Sequence, residues 1–219
     1  MNVVIQCAAS KRVDAGCMRT DVGRPVVFVA NPLAAPTSDV LEYARPDDVA
    51  RDGRTWRELL LEYNKAPGSN PLKLLPSVDL YENPVYRRLA TKFGLDKLFI
   101  LSAGWGLIPA SFLTPAYDIT FSQSADSYKR RRKNDAYGDL RLLPLESPLT
   151  TVFLGGKDYL PLFCRLTHGA KARRIVFFNA KTPPDAPGCN LRRFETTTRT
   201  NWHYECAQAL IEDRLPLPA

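Results

Sequence analysis

The chain has 219 residues, 45% of them hydrophobic, and a formal net charge of +7. That length suits a single domain spanning residues 1–219 that buries its core without disulfide staples, and the apolar content excludes a disordered chain. The apolar run at residues 1–5 is too short for a secretory leader, and no stretch reaches the ~20 apolar residues of a membrane helix, so the expectation is a cytoplasmic protein that avoids membranes.

The elements follow in chain order. The β-branched run Val3, Val4, Ile5 predicts a buried first strand, and residues 26–29 predict a second. Residues 31–54 are rich in Pro, Asp and Arg, and the chain from about 31 to 82 is expected to be an irregular excursion. Within it, Thr55 and Glu58 form a capping-box pair ahead of Leu59, Leu60 and Leu61, which starts a helix running to about residue 64. Asn83 and Pro84 then open a second helix with Val85, Leu89 and Phe93 at helical spacing, and Gly94 ends it. Residues 97–101 predict a third strand that breaks at Ser102. A polar, basic helix is expected over 124–137. Residues 151–154 predict a fourth strand, and Asp158 caps a helix that ends at Gly169. Residues 175–178 predict a fifth strand, 191–195 a sixth, and 201–214 a closing amphipathic helix.

Apolar strands that alternate with helices define an α/β fold with a mainly parallel central sheet covered on both faces. In such folds ligands bind beyond the carboxyl ends of the strands. Four segments meet that condition: residues 6–12, 102–118, 155–159 and 179–181.

In the second of these, Ser102, Gly104, Trp105 and Gly106 form a tight turn in which Trp105 is placed to stack on a base, or else to pack in the core. Tyr117 and Asp118 follow, with Asp118 the first candidate for a catalytic carboxylate that orients water or offsets positive charge on a sugar; a turn or cap role is the alternative. Ser10, Lys11 and Lys157 follow strands and suit phosphate, although the Gly155-Gly156-Lys157 turn lacks Walker spacing. Asn179, at the end of the fifth strand, is suited to read a base edge. Cys7 is either a nucleophile or a small buried residue. Arg130, Arg131, Arg132 and Lys133 belong to a run of five cations that reads as a polyanion contact or a solvated helix face, and Arg199 adds charge further on. His203, in the first turn of the last helix, is a candidate to stabilise a leaving base, or a half-buried structural residue. The five cysteines contain no CxxC pair, so free thiols are expected, with no metal and no cofactor.

At residues 100–108, followed by Pro115, Ala116, Tyr117 and Asp118, the chain resembles the peroxide-stress protein YaaA family. The resemblance implies DNA binding and kinship with uracil-DNA-glycosylase-like three-layer sandwiches. In general layout the chain is also similar to antiphage DNA glycosylases of the Brig type, which implies phage DNA with modified bases as partner. The water-activating and His-Pro-Ser loops of standard uracil glycosylases are absent from the sequence. The expected function is therefore base flipping and excision from DNA by N-glycosidic hydrolysis. A non-catalytic DNA-binding stress protein and a hydrolase of free nucleotides or nucleosides are the alternatives.

Overall fold

The structure, a computed structural model, describes residues 1–215; residues 216–219 of the expected single domain lie outside them. Val3, Val4 and Ile5 are fully buried in β1 (Asn2–Gln6). β2 (Val26–Val29) and a short β3 (Glu42–Ala44) follow. A hairpin of β4 (Val49–Arg51) and β5 (Arg54–Thr55) leads into α1 (Trp56–Lys65). The capping box of α1 forms as its sequence predicts: Thr55 Oγ1 accepts the Glu58 N–H at 3.2 Å and the Glu58 carboxylate accepts the Thr55 N–H at 2.7 Å. β6 (Leu75–Pro76) and the one-turn α2 (Ser77–Leu80) bring the chain to α3 (Val85–Phe93). Pro84 holds the N-cap position of α3, with Asn83 just before it accepting the Val85 N–H at 2.9 Å, and Gly94 ends the helix at φ 92°, a conformation that favours glycine.

β7 (Leu98–Ser102) and β8 (Gly106–Pro109) then form a hairpin, followed by β9 (Leu113–Thr114), β10 (Tyr117–Asp118) and β11 (Leu140–Arg141). β12 (Thr151–Leu154), α4 (Leu160–Leu166), β13 (Arg174–Phe178), β14 (Asn190–Arg193) and α5 (Trp202–Ile211) complete the described chain.

Seven strands make the main sheet in the order β11-β8-β7-β1-β12-β13-β14, and every neighbouring pair is parallel except β7 with β8. A second, parallel sheet has the order β10-β2-β3. From β1 the chain crosses by way of α3 to β7 on one side; from β12 it crosses by α4 to β13 on the other side. Both crossovers obey the right-handed rule only if α3 and α4 lie on opposite faces of the sheet. α5 packs beside α3 and against β12. Because the two crossovers leave in opposite directions, the carboxyl ends of β1 and β12 part at a topological switch point, where an open α/β sheet leaves a crevice.

Three local expectations are corrected. Residues 124–137 are turns and extended chain, not a helix. Their backbone is paired across the loop instead: the Thr120 N–H donates to Lys129 at 2.9 Å, the Arg131 N–H to Thr120 at 2.8 Å and the Asn31 N–H to Tyr128 at 2.8 Å. The excursion at 31–82 is more ordered than its composition suggests, since it holds β3, the β4–β5 hairpin, α1 and α2. Asp158 does not cap α4; Tyr159 occupies that position, and Asp158 pairs with Lys133 at 3.4 Å.

Candidate functional site

A cleft of about 1210 Å³ opens at the switch point. Gln6 and Cys7 at the end of β1, Gly155 and Gly156 after β12, and Phe178 and Asn179 at the end of β13 line it. The first turn of α5, with Trp202, His203 and Tyr204, closes one side, and the loop at residues 120–124 another. Gln6 Oε1 accepts the Gly156 N–H at 2.6 Å and so ties the ends of β1 and β12 together. Gly155 is required at its position: a Cβ there would lie 2.3 Å from the Phe153 ring, which is itself stacked on Phe163 at 4.5 Å.

Several expected site residues come together here. Ser10, Lys157, Asn179, Arg199 and His203 all line the cleft. Lys157 and Arg199 are exposed, so their cations are available to an anionic ligand. The Asn179 side chain donates to the Thr198 carbonyl at 3.3 Å, which anchors its amide and leaves its carbonyl oxygen free of that bond.

His203 is only 2% exposed, and its Nε2 is buried without a hydrogen-bond partner. Burial holds its pKa down at about 4, so the ring is neutral at pH 7. A buried ring nitrogen without a partner costs free energy. The ring lies against Tyr204, with centroids 4.1 Å apart. Cleft residues that the sequence did not single out are Glu82, Thr120 and Phe121, while Asp158 and Tyr159 fall in the chosen segment 155–159 without being named as site residues. Glu82 and Asp158 are the carboxylates among the cleft-lining residues. No local pattern marks either one as a site carboxylate, because the switch point that gathers them is made by strand order.

The Gly-Trp-Gly turn is elsewhere and does other work. Trp105 is fully buried, edge-on to Phe28 at 4.9 Å, which removes it as a stacking platform. Gly106 has φ 93°, and a Cβ there would meet the Leu140 backbone at 2.5 Å. Ser102 is buried and shapes the turn: its Oγ accepts the N–H groups of Gly104 at 3.2 Å and Trp105 at 3.1 Å, and donates to the Tyr117 hydroxyl at 2.8 Å.

The carbonyls of the turn face two buried arginines. Arg131 donates to Ala103 at 2.7 Å, and Arg57 to Gly104 and Trp105, both at 3.0 Å. Asp139 neutralises Arg131 and Asp47 neutralises Arg57. Ser102, Gly104, Trp105 and Gly106 are therefore buried parts of the turn and do not line the cleft. The strand-end rule selected this segment because β7 is a parallel strand, but β7 turns straight back into β8 and fills its own carboxyl end.

Asp118 is also displaced from the cleft. It lies in the second sheet, beside β2, and pairs with Lys129 at 3.1 Å, with nearly half of its side chain exposed. That carboxylate raises the Lys129 pKa. Tyr117 is 2% exposed, with Tyr81 bonded to its hydroxyl at 2.9 Å and Lys11 over its ring at 4.3 Å. Lys11 turns inward and donates to the carbonyls of Ala8 at 3.2 Å and Ala9 at 3.1 Å. Burial lowers its pKa, against the opposing pull of Cys7 and Asp118. Cys7 is 3% exposed, 3.2 Å from the Tyr159 hydroxyl, and its sulfur accepts the Ala103 N–H at 3.4 Å, so the reading as a small buried residue fits its packing.

The cationic run is dispersed. Arg131 is 3% exposed and turned inward, Arg130 donates to the Gln123 carbonyl at 3.3 Å, Lys133 reaches Asp158, and Arg132 is exposed. Among the described residues no cluster of three or more His, Cys, Asp or Glu could hold a metal ion, and no helix is long and apolar enough to cross a membrane. Comparisons with family models, with curated proteins and with solved structures give no match.

Proposed function

We propose that the switch-point cleft takes one nucleotide flipped out of DNA and that the protein hydrolyses its N-glycosidic bond, in keeping with the YaaA-like and glycosylase-like resemblance of the sequence. The observation that carries the reading is the neutral, partnerless His203 on the wall of a cleft bordered by Lys157 and Arg199. A neutral imidazole that carries its proton on Nε2 donates to an oxygen of the departing base without the desolvation cost of a buried cation. Asn179 reads the base edge, and the aromatic wall of Phe121, Tyr159 and Tyr204 takes over the stacking expected of Trp105. Asp158 or Glu82 replaces Asp118 as the carboxylate that orients water or offsets charge on the sugar. Ser10, Lys157 and Arg199 hold phosphates. Modified bases in phage DNA are the substrate class that the Brig-type likeness implies.

The test is base release from a panel of DNAs with normal, uracil-containing, oxidised and modified-cytosine bases. Abasic sites are expected on one member, with His203→Ala lowering the rate about 10²–10³-fold, the usual loss for one transition-state donor. DNA bound without base release on any member would leave a non-catalytic binder. A second reading, hydrolysis of free nucleotides or nucleosides, is favoured by one observation: with Arg131 internal, the basic run offers no continuous strip for a phosphate backbone. Turnover of a free nucleotide at a rate unaffected by added DNA selects it.

A further inference from the structure

Cys164 lies on α4, and Cys189 lies just ahead of β14, in the segment 179–189 that returns from the cleft. Their sulfurs are 4.0 Å apart, and both residues are partly exposed. The other thiols are placed differently. Cys7 and Cys206 are buried, and among the described residues Cys17 is not paired with another thiol. We infer that Cys164 and Cys189 are an oxidation site that closes to an intramolecular disulfide, tying the 179–189 segment to α4. This goes beyond the glycosylase reading and does not depend on it.

The surroundings favour closure. Arg174 donates to the Pro187 carbonyl at 3.1 Å and to Thr167 Oγ1 at 3.2 Å, which holds the segment beside the end of α4 and sets a fixed cation near the pair. Cys189 follows Gly188, whose φ of 70° forms a turn, and the exposed segment before it can shift. The sulfurs need to approach by about 2 Å to reach bonding distance, which side-chain rotation and that segment supply. Either sulfur can donate across the 4.0 Å contact, so one of the two thiols is favoured as a thiolate, with the Arg174 cation beside the pair; the contact to Cys164 and that cation lower the Cys189 thiol. Cys189 is thus the attacking thiolate and Cys164 the resolving thiol.

With a hydroperoxide as oxidant the step balances. The Cys189 thiolate attacks one peroxide oxygen, the O–O bond breaks, and the leaving hydroxide or alkoxide takes a proton. The resulting sulfenic acid is then attacked by the Cys164 sulfur, which loses its proton as water leaves, and the S–S bond forms. The two thiols are oxidised and the peroxide is reduced. Since Ala180 and Pro184 in the tethered segment line the cleft, oxidation fixes one of its walls.

The test treats the full chain with equimolar hydrogen peroxide and maps its peptides by mass spectrometry, with limited trypsin cleavage at the exposed Lys181 as a second readout. The expected result is a Cys164–Cys189 cross-link with loss of two hydrogens before any change at Cys7, Cys17 or Cys206, reversed by a reducing thiol. Cleavage at Lys181 should slow several-fold in the oxidised protein. In Cys164→Ser the expected product is a sulfenic acid at Cys189 trapped by a 1,3-dione. Sulfinic acid at Cys189 with no cross-link, or Cys17 reacting as fast as Cys189, would overturn the pair as an oxidation site. A cross-link that leaves Lys181 cleavage unchanged would overturn the tether.

Discussion

Arg131→Ala separates a structural arginine from a DNA-contacting one. Arg131 and Asp139 are both about 2% exposed in their side chains, and the guanidinium meets the carboxylate at 2.8 and 2.6 Å while also donating to Ala103. Its Cζ lies 3.8 Å from the centre of the Tyr137 ring. Removing it leaves Asp139 buried with only the half-exposed Arg165 as partner, and leaves a carbonyl of the turn without its donor. Breaking one side of a buried pair costs about 3–5 kcal/mol. With a urea m-value of about 3 kcal/mol/M, the unfolding midpoint falls by about 1–1.7 M. The exposed neighbour is the control: Arg132→Ala should shift stability by less than about 0.5 kcal/mol. Equilibrium urea unfolding of both variants, beside their salt-dependent DNA affinity, decides the matter. If Arg131→Ala unfolds with the wild type but binds DNA as weakly as Arg132→Ala, Arg131 is a surface phosphate contact and the internal placement is wrong.

The remaining predictions address the cleft and its surroundings. His203 has a folded pKa of about 4 against 6.5 for the free side chain, so the unfolded state binds the proton more readily; its contribution is complete above about pH 6.5 and is lost as the pH falls toward 4. That difference is worth on the order of 3 kcal/mol, and His203→Phe should flatten the acid limb of a stability profile between pH 7 and 4 by a comparable amount. An unchanged limb would mean that His203 is solvated. Gly155→Ala drives a Cβ into the Phe153 ring and should cost about 1–3 kcal/mol, a fall in Tm of about 2–12 °C, whereas Gly156→Ala meets only Gln6 Oε1 at 3.5 Å and should melt near the wild type. Equal melting of the two variants would contradict the packing of the turn. Asp118→Asn loses a partly exposed ion pair worth at most about 1 kcal/mol and, on the proposed glycosylase reading, should leave base release unchanged, while Asp158→Asn should lower it. The reverse order in a turnover assay would return the carboxylate role to Asp118.

Much of the frame could be read along the chain, because the signals that set it act over a few residues. The apolar runs of β1, β7, β12 and β13 form strands, the Thr55–Glu58 box starts α1, and Gly94 ends α3. From the segments that the rule of strand carboxyl ends chose, residues 6–10, 155–159 and 179–180 line one cleft, Ser10, Lys157 and Asn179 among them. What failed depended on partners far along the chain. Tyr128, Lys129 and Arg131 have their backbone groups bonded to Asn31 and Thr120, so the polar stretch forms a loop and not a helix. Arg131 looks like its neighbours in sequence, but Asp139 and the Ala103 carbonyl draw it inside. Trp105 is flanked by glycines as a ligand-binding aromatic could be, but β7 folds back into β8 and Phe28 covers it. Asp118 belongs to the segment chosen after the third strand, but Tyr117 and Asp118 pair with β2 in the second sheet. Local propensity and apolar pattern determine which residues become strands and helices. Strand order decides which strand ends open to solvent and which side chains are buried, and it is set by tertiary contacts between segments whose proximity no local window of the sequence contains.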